Sequence, residues 1–257
     1  MTLPPQKSDG SPTPSHALSG HLAPNATLED GVPIGDDGAT LSLVCIGTSE
    51  GDLPSAVRQW VDADPLSAGR AAQWTAFQGA HIYWSTGRCA ILAPAERLEA
   101  LRKVILEAGK HERELQAIER SVAESWPALE SDAPLAFEFN ERSVARRTEL
   151  QGRLTRAVVL QSRLARISPY LLSPLEHPPT LASQVAERMR ERLCMASRFE
   201  ALGAQLDVIR NTYEMCGQRA SDFFLARTGH QLELVIIVLL AAQLLLWAFE
   251  YLAASPS

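Results

Sequence analysis

LVIIVLLAAQLLLWAF, residues 234–249, decides how the rest of the chain is read. It carries no formal charge, and Gln243 is its one strongly polar side chain. A bilayer's hydrocarbon, about 30 Å thick, asks for roughly 20 mostly apolar helical residues. At ~1.5 Å per residue the uncharged run spans about 24 Å, and continuing through Tyr251 to Ala254 supplies the missing length. Trp247 and Tyr251 suit a membrane–water interface, where an apolar ring carries a polar tip. Glu250 falls near that same interface. The reading is a transmembrane helix over 232–254 rather than a core helix of a soluble bundle.

The flanks give an orientation. Arg219 and Arg227 precede the run and no Lys or Arg follows it. Positive residues stay on the cytoplasmic side, so the bulk of the chain is expected in the cytoplasm, as in a single-pass, tail-anchored membrane protein. The first apolar run is short and Pro-interrupted, unlike a signal peptide. The first Arg is Arg58, and Glu29, Asp30, Asp36 and Asp37 contradict a mitochondrial presequence, which is Arg-rich and poor in acids. A bacterial cytoplasmic membrane is therefore the expected location.

At 257 residues and 46% hydrophobic content the chain can build one or two cored domains. A net charge of -6 argues against a protein coated all over in nucleic acid, while leaving room for a local basic patch. Cys45, Cys89, Cys194 and Cys216 are scattered, without metal spacing, and read as core residues of a reducing compartment.

Residues 1–38, rich in Pro, Ser, Gly and Asp, predict a disordered arm. An α+β domain follows over 40–140. Leu41–Gly47 reads as a strand, Asp52–Ala63 as a helix capped by Asp52, Ala72–Phe77 and Ala80–Trp84 as strands, and Cys89–Leu92 as a strand across a turn at 85–88. Pro94 opens a helix, and Leu98, Leu101, Val104, Ile105 and Ala108 have helical spacing. A charged helix over 111–126 ends at Pro127, and the alternation in Pro134–Phe139 predicts a last strand. With the 72–77 stretch left out, the order β-α-β-β-α-(α)-β suggests a small α/β sandwich, ferredoxin-like or built on a split βαβ unit.

Residues 141–230 read as a long helical hairpin or coiled coil. One helix covers Glu141–Ile167. Past a Pro-rich link, Thr180 caps the next, whose seam runs Val185, Met189, Ala196, Phe199, Leu202, Leu206, Ile209, Tyr213 and Cys216. A bend is expected near Gly217 before the membrane segment.

No catalytic, cofactor-binding or metal-ligating constellation stands out: there is no GxSxG, P-loop, HExxH or zinc spacing. His81 reads as a strand residue. On the 141–167 helix, Arg142, Arg146, Arg153, Arg156 and Arg163 share one sector. Such a stripe either binds RNA or anionic lipid, or pairs with Glu187, Glu191, Glu200 and Asp207 on an antiparallel partner. Glu233 can pair with Arg227. Gln243, near mid-bilayer, can hydrogen-bond to a second copy.

Several of these segments together resemble the "required for meiotic nuclear division" family. Leu232-Glu233-Leu234 and the Val235–Leu240 run are similar to the family's LEW-IIIILI stretch, with Leu234 in place of the Trp. Gln243 stands where a Glu is usual. Arg198, Leu202, Leu206 and Asp207 resemble its "R...LN..LD" run, with Gly203 for the Asn. Gln161-Ser162 matches the pair in "ALAQSxxL", and Gly87 the Gly of an aromatic hairpin. The resemblance covers about 40–254. It implies a membrane-anchored α+β plus helical protein with no established enzymatic activity. Its mitochondrial member supports organellar translation at the inner membrane. The expected function is thus a non-enzymatic scaffold that tethers a cytoplasmic partner, with ribosomal proteins among the candidates. The alternative is an RNA- or lipid-binding module using the Arg stripe.

Overall fold

The computed structural model describes residues 24–34, 38, 40–48, 51–67, 71–172 and 180–254; the side chains at 142 and 248–254 fall outside that description. The elements are β1 (Ala26–Pro33), β2 (Thr40–Gly47), α1 (Ser55–Asp62), β3 (Gln73–Phe77), β4 (Ala80–Trp84), β5 (Arg88–Ala93), α2 (Ala95–Asp132), two 3-10 turns (Ala133–Ala136 and Glu141–Arg146), α3 (Arg147–Leu172), α4 (Leu181–Arg192) and α5 (Met195–Ala254). The fold is α+β: a five-stranded mixed sheet, then long helices ending in a long apolar one.

Sheet order is β1-β2-β5-β4-β3. β2 and β5 pair in parallel and every other pair is antiparallel. All six residues of β5 are buried, as a central strand covered on both faces requires. Leu41, Leu43 and Cys45 of β2 point to one face with Cys89 and Ile91 of β5, where α2 and α4 cover them through Leu101, Ile105, Val185 and Met189. Val44, Ile46, Ala90 and Leu92 point to the other, under Val57, Trp60 and Val61 of α1. The β3–β4 hairpin turns on Gln78 and Gly79, both at positive φ (48° and 80°), which matches a two-residue turn to the strand twist.

The chain divides into two compact units, Met1–Glu119 with Leu164–Ala201, and Arg120–Arg163 with Leu202–Ser257. The first holds the sheet. In the second, the end of α2, the first part of α3 and the 202–220 part of α5 bury Val122, Leu129, Leu150, Ala157, Leu160, Leu202, Leu206, Ile209, Tyr213, Cys216 and Ala220. The positions on α5 step by four and three, the spacing of a helical seam. Arg147 and Leu150 lie by residues 213–222, while Gln161 meets Asp207, so α3 and α5 run antiparallel here.

Several local expectations are corrected. Residues 26–33, placed in a disordered arm, form the edge strand β1. Its ladder with β2 shifts register between Glu29 and Val32, around Gly31 at φ 69°, and Arg102 holds the Glu29 carboxylate bidentately, at 2.7 and 3.0 Å. Two acids and a bulge hid the alternation. The rest of the expected arm, 1–23 and 35–37, lies outside the described residues. Pro54, not Asp52, occupies the N-cap of α1; Asp52 lies 3.5 Å from Arg58 instead.

Pro127 does not end its helix, since α2 continues to Asp132. Its ring is on the exposed face, where water can satisfy the freed carbonyl, while Val122 and Leu129 anchor the helix on either side. Pro134–Phe139 is no strand. Pro134 lies in the 3-10 turn Ala133–Ala136, and Phe137 is 71% exposed. The sandwich order therefore gains a strand at its start and lacks the one expected at its end. The 180–216 seam breaks at Leu193–Cys194, where Cys194 adopts φ 50°. The break shifts the phase, burying Met195 and exposing Ala196. Thr180 caps α4 as expected, accepting from the Ser183 N–H at 3.1 Å. The helix is not interrupted at Gly217, which lies inside α5.

Candidate functional site

The most distinctive surface is the last third of α5. Seam burial ends at Ala220, Phe223 and Phe224 are half-buried, and from Leu225 to Trp247 every residue is exposed. Twelve large apolar side chains between Leu232 and Trp247 have no protein cover, from Val235 at 52% to Trp247 at 76% exposure. Among the described residues this is the one helix long and apolar enough to cross a membrane. Burying such a side chain is worth about 1.5–3 kcal/mol, so twelve left in water forfeit on the order of 20 kcal/mol, more than a domain's whole net stability of about 5–15 kcal/mol. Gln243 is exposed, with no hydrogen-bond partner among the described residues. Leu232 is also exposed. Glu233 meets His230 at 3.3 Å, not Arg227, which reaches Glu141 at 3.1 Å. The side chains of Glu250 and Tyr251 are outside the described residues.

The Arg stripe divides. Arg146 and Arg153 both bind the carboxylate of Asp132, which is fully buried at the end of α2. Arg153 also meets Glu149. Tyr213 and Cys216 close the cluster. The Cys216 thiol donates to the Asp132 carbonyl at 3.8 Å, and burial, with the nearby carboxylate, raises both the Tyr213 phenol and the Cys216 thiol. Arg156 is exposed, Arg163 is half-buried, and the Arg142 side chain is outside the described residues. Three of the four anticipated acidic partners are used elsewhere: Glu187 by Arg190, Glu191 by Arg188, and Asp207 by Gln161 and Arg210. Asp132 was not singled out in the sequence; an acid at a seam position, beside Leu129, was the available signal.

Other positions carrying the family resemblance have structural work. Gln161 donates to Asp207 at 3.0 Å and accepts from Arg210 at 3.3 Å. Ser162 is exposed and bonds back to the Val158 carbonyl at 2.9 Å. Leu202 is buried in the seam. Arg198 donates to Glu112 at 2.8 Å and to Glu119 at 2.7 and 2.8 Å, clamping the start of α5 to two acids about two turns apart on one face of α2. Gly87 donates its N–H to Asp64 at 2.7 Å, and a Cβ there would lie 2.8 Å from Leu66 and 3.0 Å from Asp64. Asp64 also accepts from Ser85 at 2.7 Å. Next door, Arg88 donates to the Trp60 and Ala63 carbonyls at the end of α1. These contacts pin the β4–β5 turn to α1.

Nothing in these clusters is arranged as a nucleophile with its base. Burial pushes the Cys45 thiol up to about 11 and that of Cys89 well above its ordinary value, so both stay protonated and unreactive. Among the described residues no three His, Cys, Asp or Glu side chains come together as a metal-binding group. Comparison of the chain with protein-family models, curated proteins and solved structures gives no match.

Proposed function

We propose that the chain is a non-enzymatic, membrane-anchored scaffold. α5 inserts its apolar length in a bilayer, and the folded units hold a partner on the cytoplasmic side. One observation carries this reading: the uncovered face of Leu232–Trp247, continuous around the helix, which only lipid or another protein can remove from water. Arg219 and Arg227, on the near side of that run, support a cytoplasmic bulk. The resemblance to the "required for meiotic nuclear division" family favours a translation-linked partner such as a ribosomal protein. The competing use of the Arg stripe for RNA or lipid is weaker, because Arg146 and Arg153 are engaged by Asp132.

The test is fractionation of cells expressing the full chain. The protein is expected to stay with carbonate-washed membranes, to be released by detergent, and to co-purify with translation components in mild detergent. Protease added to sealed inside-out vesicles should digest its bulk. Recovery in the carbonate supernatant removes the anchor. Retention with no translation component in the purified set leaves the anchor and removes that partner.

A further inference from the structure

Within the first unit a cavity of about 240 Å³ opens between the sheet, α2 and α4. At ~30 Å³ per water it has room for about eight waters, the bulk of a small ligand rather than of a side chain. Leu41, Trp84, Ile105 and Met189 form apolar wall. All four are buried in the unit's core, so this wall is preformed. The Trp84 indole N–H, also buried, has no acceptor among the described residues.

Charge sorts itself at the other side. The Glu112 carboxylate takes Arg198 at 2.8 Å and Gln116 at 2.6 Å, so neither Glu112 nor Arg198 offers an unmatched charge. Arg192 lines the same cavity from the last turn of α4, is exposed, and has no ion-pair partner among the described residues. One unmatched cation above an apolar wall suits a ligand with one negative charge and an apolar body. Among the described lining residues only Arg192 is free to offset the charge of a dianion beside the Glu112 carboxylate.

We infer that this cavity binds a small amphiphilic carboxylate, with its chain against Leu41, Trp84, Ile105 and Met189 and its carboxylate at Arg192. The site lies wholly in the sheet-bearing unit and does not depend on α5 entering a membrane.

Octanoate is the probe, titrated by calorimetry into the full chain in lipid nanodiscs, with empty nanodiscs as background. One saturable site is expected, with octylammonium and octan-1-ol binding more weakly. Ala71→Trp, at an exposed lining position, plugs the mouth and abolishes binding. Arg192→Glu weakens octanoate about tenfold while leaving octan-1-ol unchanged. Arg192 is exposed, so its variant keeps the test alive should Ala71→Trp misfold. Octanoate heat equal to that of empty nanodiscs, undiminished binding to both folded variants, or equal affinity for octylammonium overturns the assignment.

Discussion

Asp132 is the residue on which the second unit is most exposed to a single change. Its carboxylate is fully buried and two guanidiniums share it. Asp132→Asn keeps the volume and removes the buried charge both cations share, leaving them the half-exposed Glu149. Breaking a buried pair in this way costs about 3–5 kcal/mol; Arg146 and Arg153 are partly hydrated, which places the expected loss near 3 kcal/mol. Denaturant unfolding of the detergent-solubilised chain, followed by circular dichroism, measures it. Gly87→Ala should be milder, about 1–2 kcal/mol, because the Leu66 side chain it meets is half-exposed and can give way. Adding Leu66→Ala should recover part of that loss, and strict additivity of the two would contradict the steric account.

His111 supplies a pH dependence at the same scale. It stacks on Tyr170 at 4.0 Å, and burial lowers its pKa from the ordinary 6.5. The folded state therefore favours the neutral ring. Its contribution is complete above about pH 6.5 and is lost as pH falls below that, toward the lowered value. Melting temperature should drop between pH 7.5 and 5, and His111→Phe should flatten that slope. An unchanged slope in the variant would assign the acid loss to other groups.

At the level of elements, most of the sheet could be read from residues because its strands are apolar and bounded by turn chemistry. β4 and β5 were visible as HIYW and CAIL on either side of a Ser-Thr-Gly turn. β1 was not, since Glu29, Asp30 and a bulge at Gly31 break its period and it is held largely by its backbone ladder and by Arg102. Alternation also deceives where no sheet edge is at hand: PLAFEF, residues 134–139, alternates, yet only Ala136 is buried in its turn. Pro127 misled for the converse reason, because burial on both sides outweighed the missing hydrogen bond. The clamps of Asp132 and Arg198 were illegible, since each joins residues 14 to 86 positions apart. The apolar run of α5 needed no such information. Replacing Leu240 and Leu244 both by Arg adds about 2.5–3.5 kcal/mol each at mid-helix and should shift the chain from carbonate-resistant to extractable. Its folded units should keep their near-ultraviolet signal.

For the whole molecule, the two units call for separate tests, and the chain makes that practical. The proposed octanoate site belongs to the sheet-bearing unit, the Asp132 cluster to the helical one, and the exposed apolar run extends from the latter. Loss of one activity with retention of the others is therefore the expected pattern for each variant above.

Because α5 is unbroken through Gly217 and onward to Ala254, positions around it follow the helical period. At about 100° per residue, Gln243 lies five full turns beyond Leu225 and so points the same way, some 140° around from the seam at Ala220. Leu225 is 72% exposed. Two copies meeting through the Gln243 amide would bring their Leu225 side chains together outside the bilayer, back to back with the bundles outward. Leu225→Cys should then form an intermolecular disulfide under mild oxidation, and Gln243→Leu should abolish it. A cross-link indifferent to position 243 would point to some other axis of pairing.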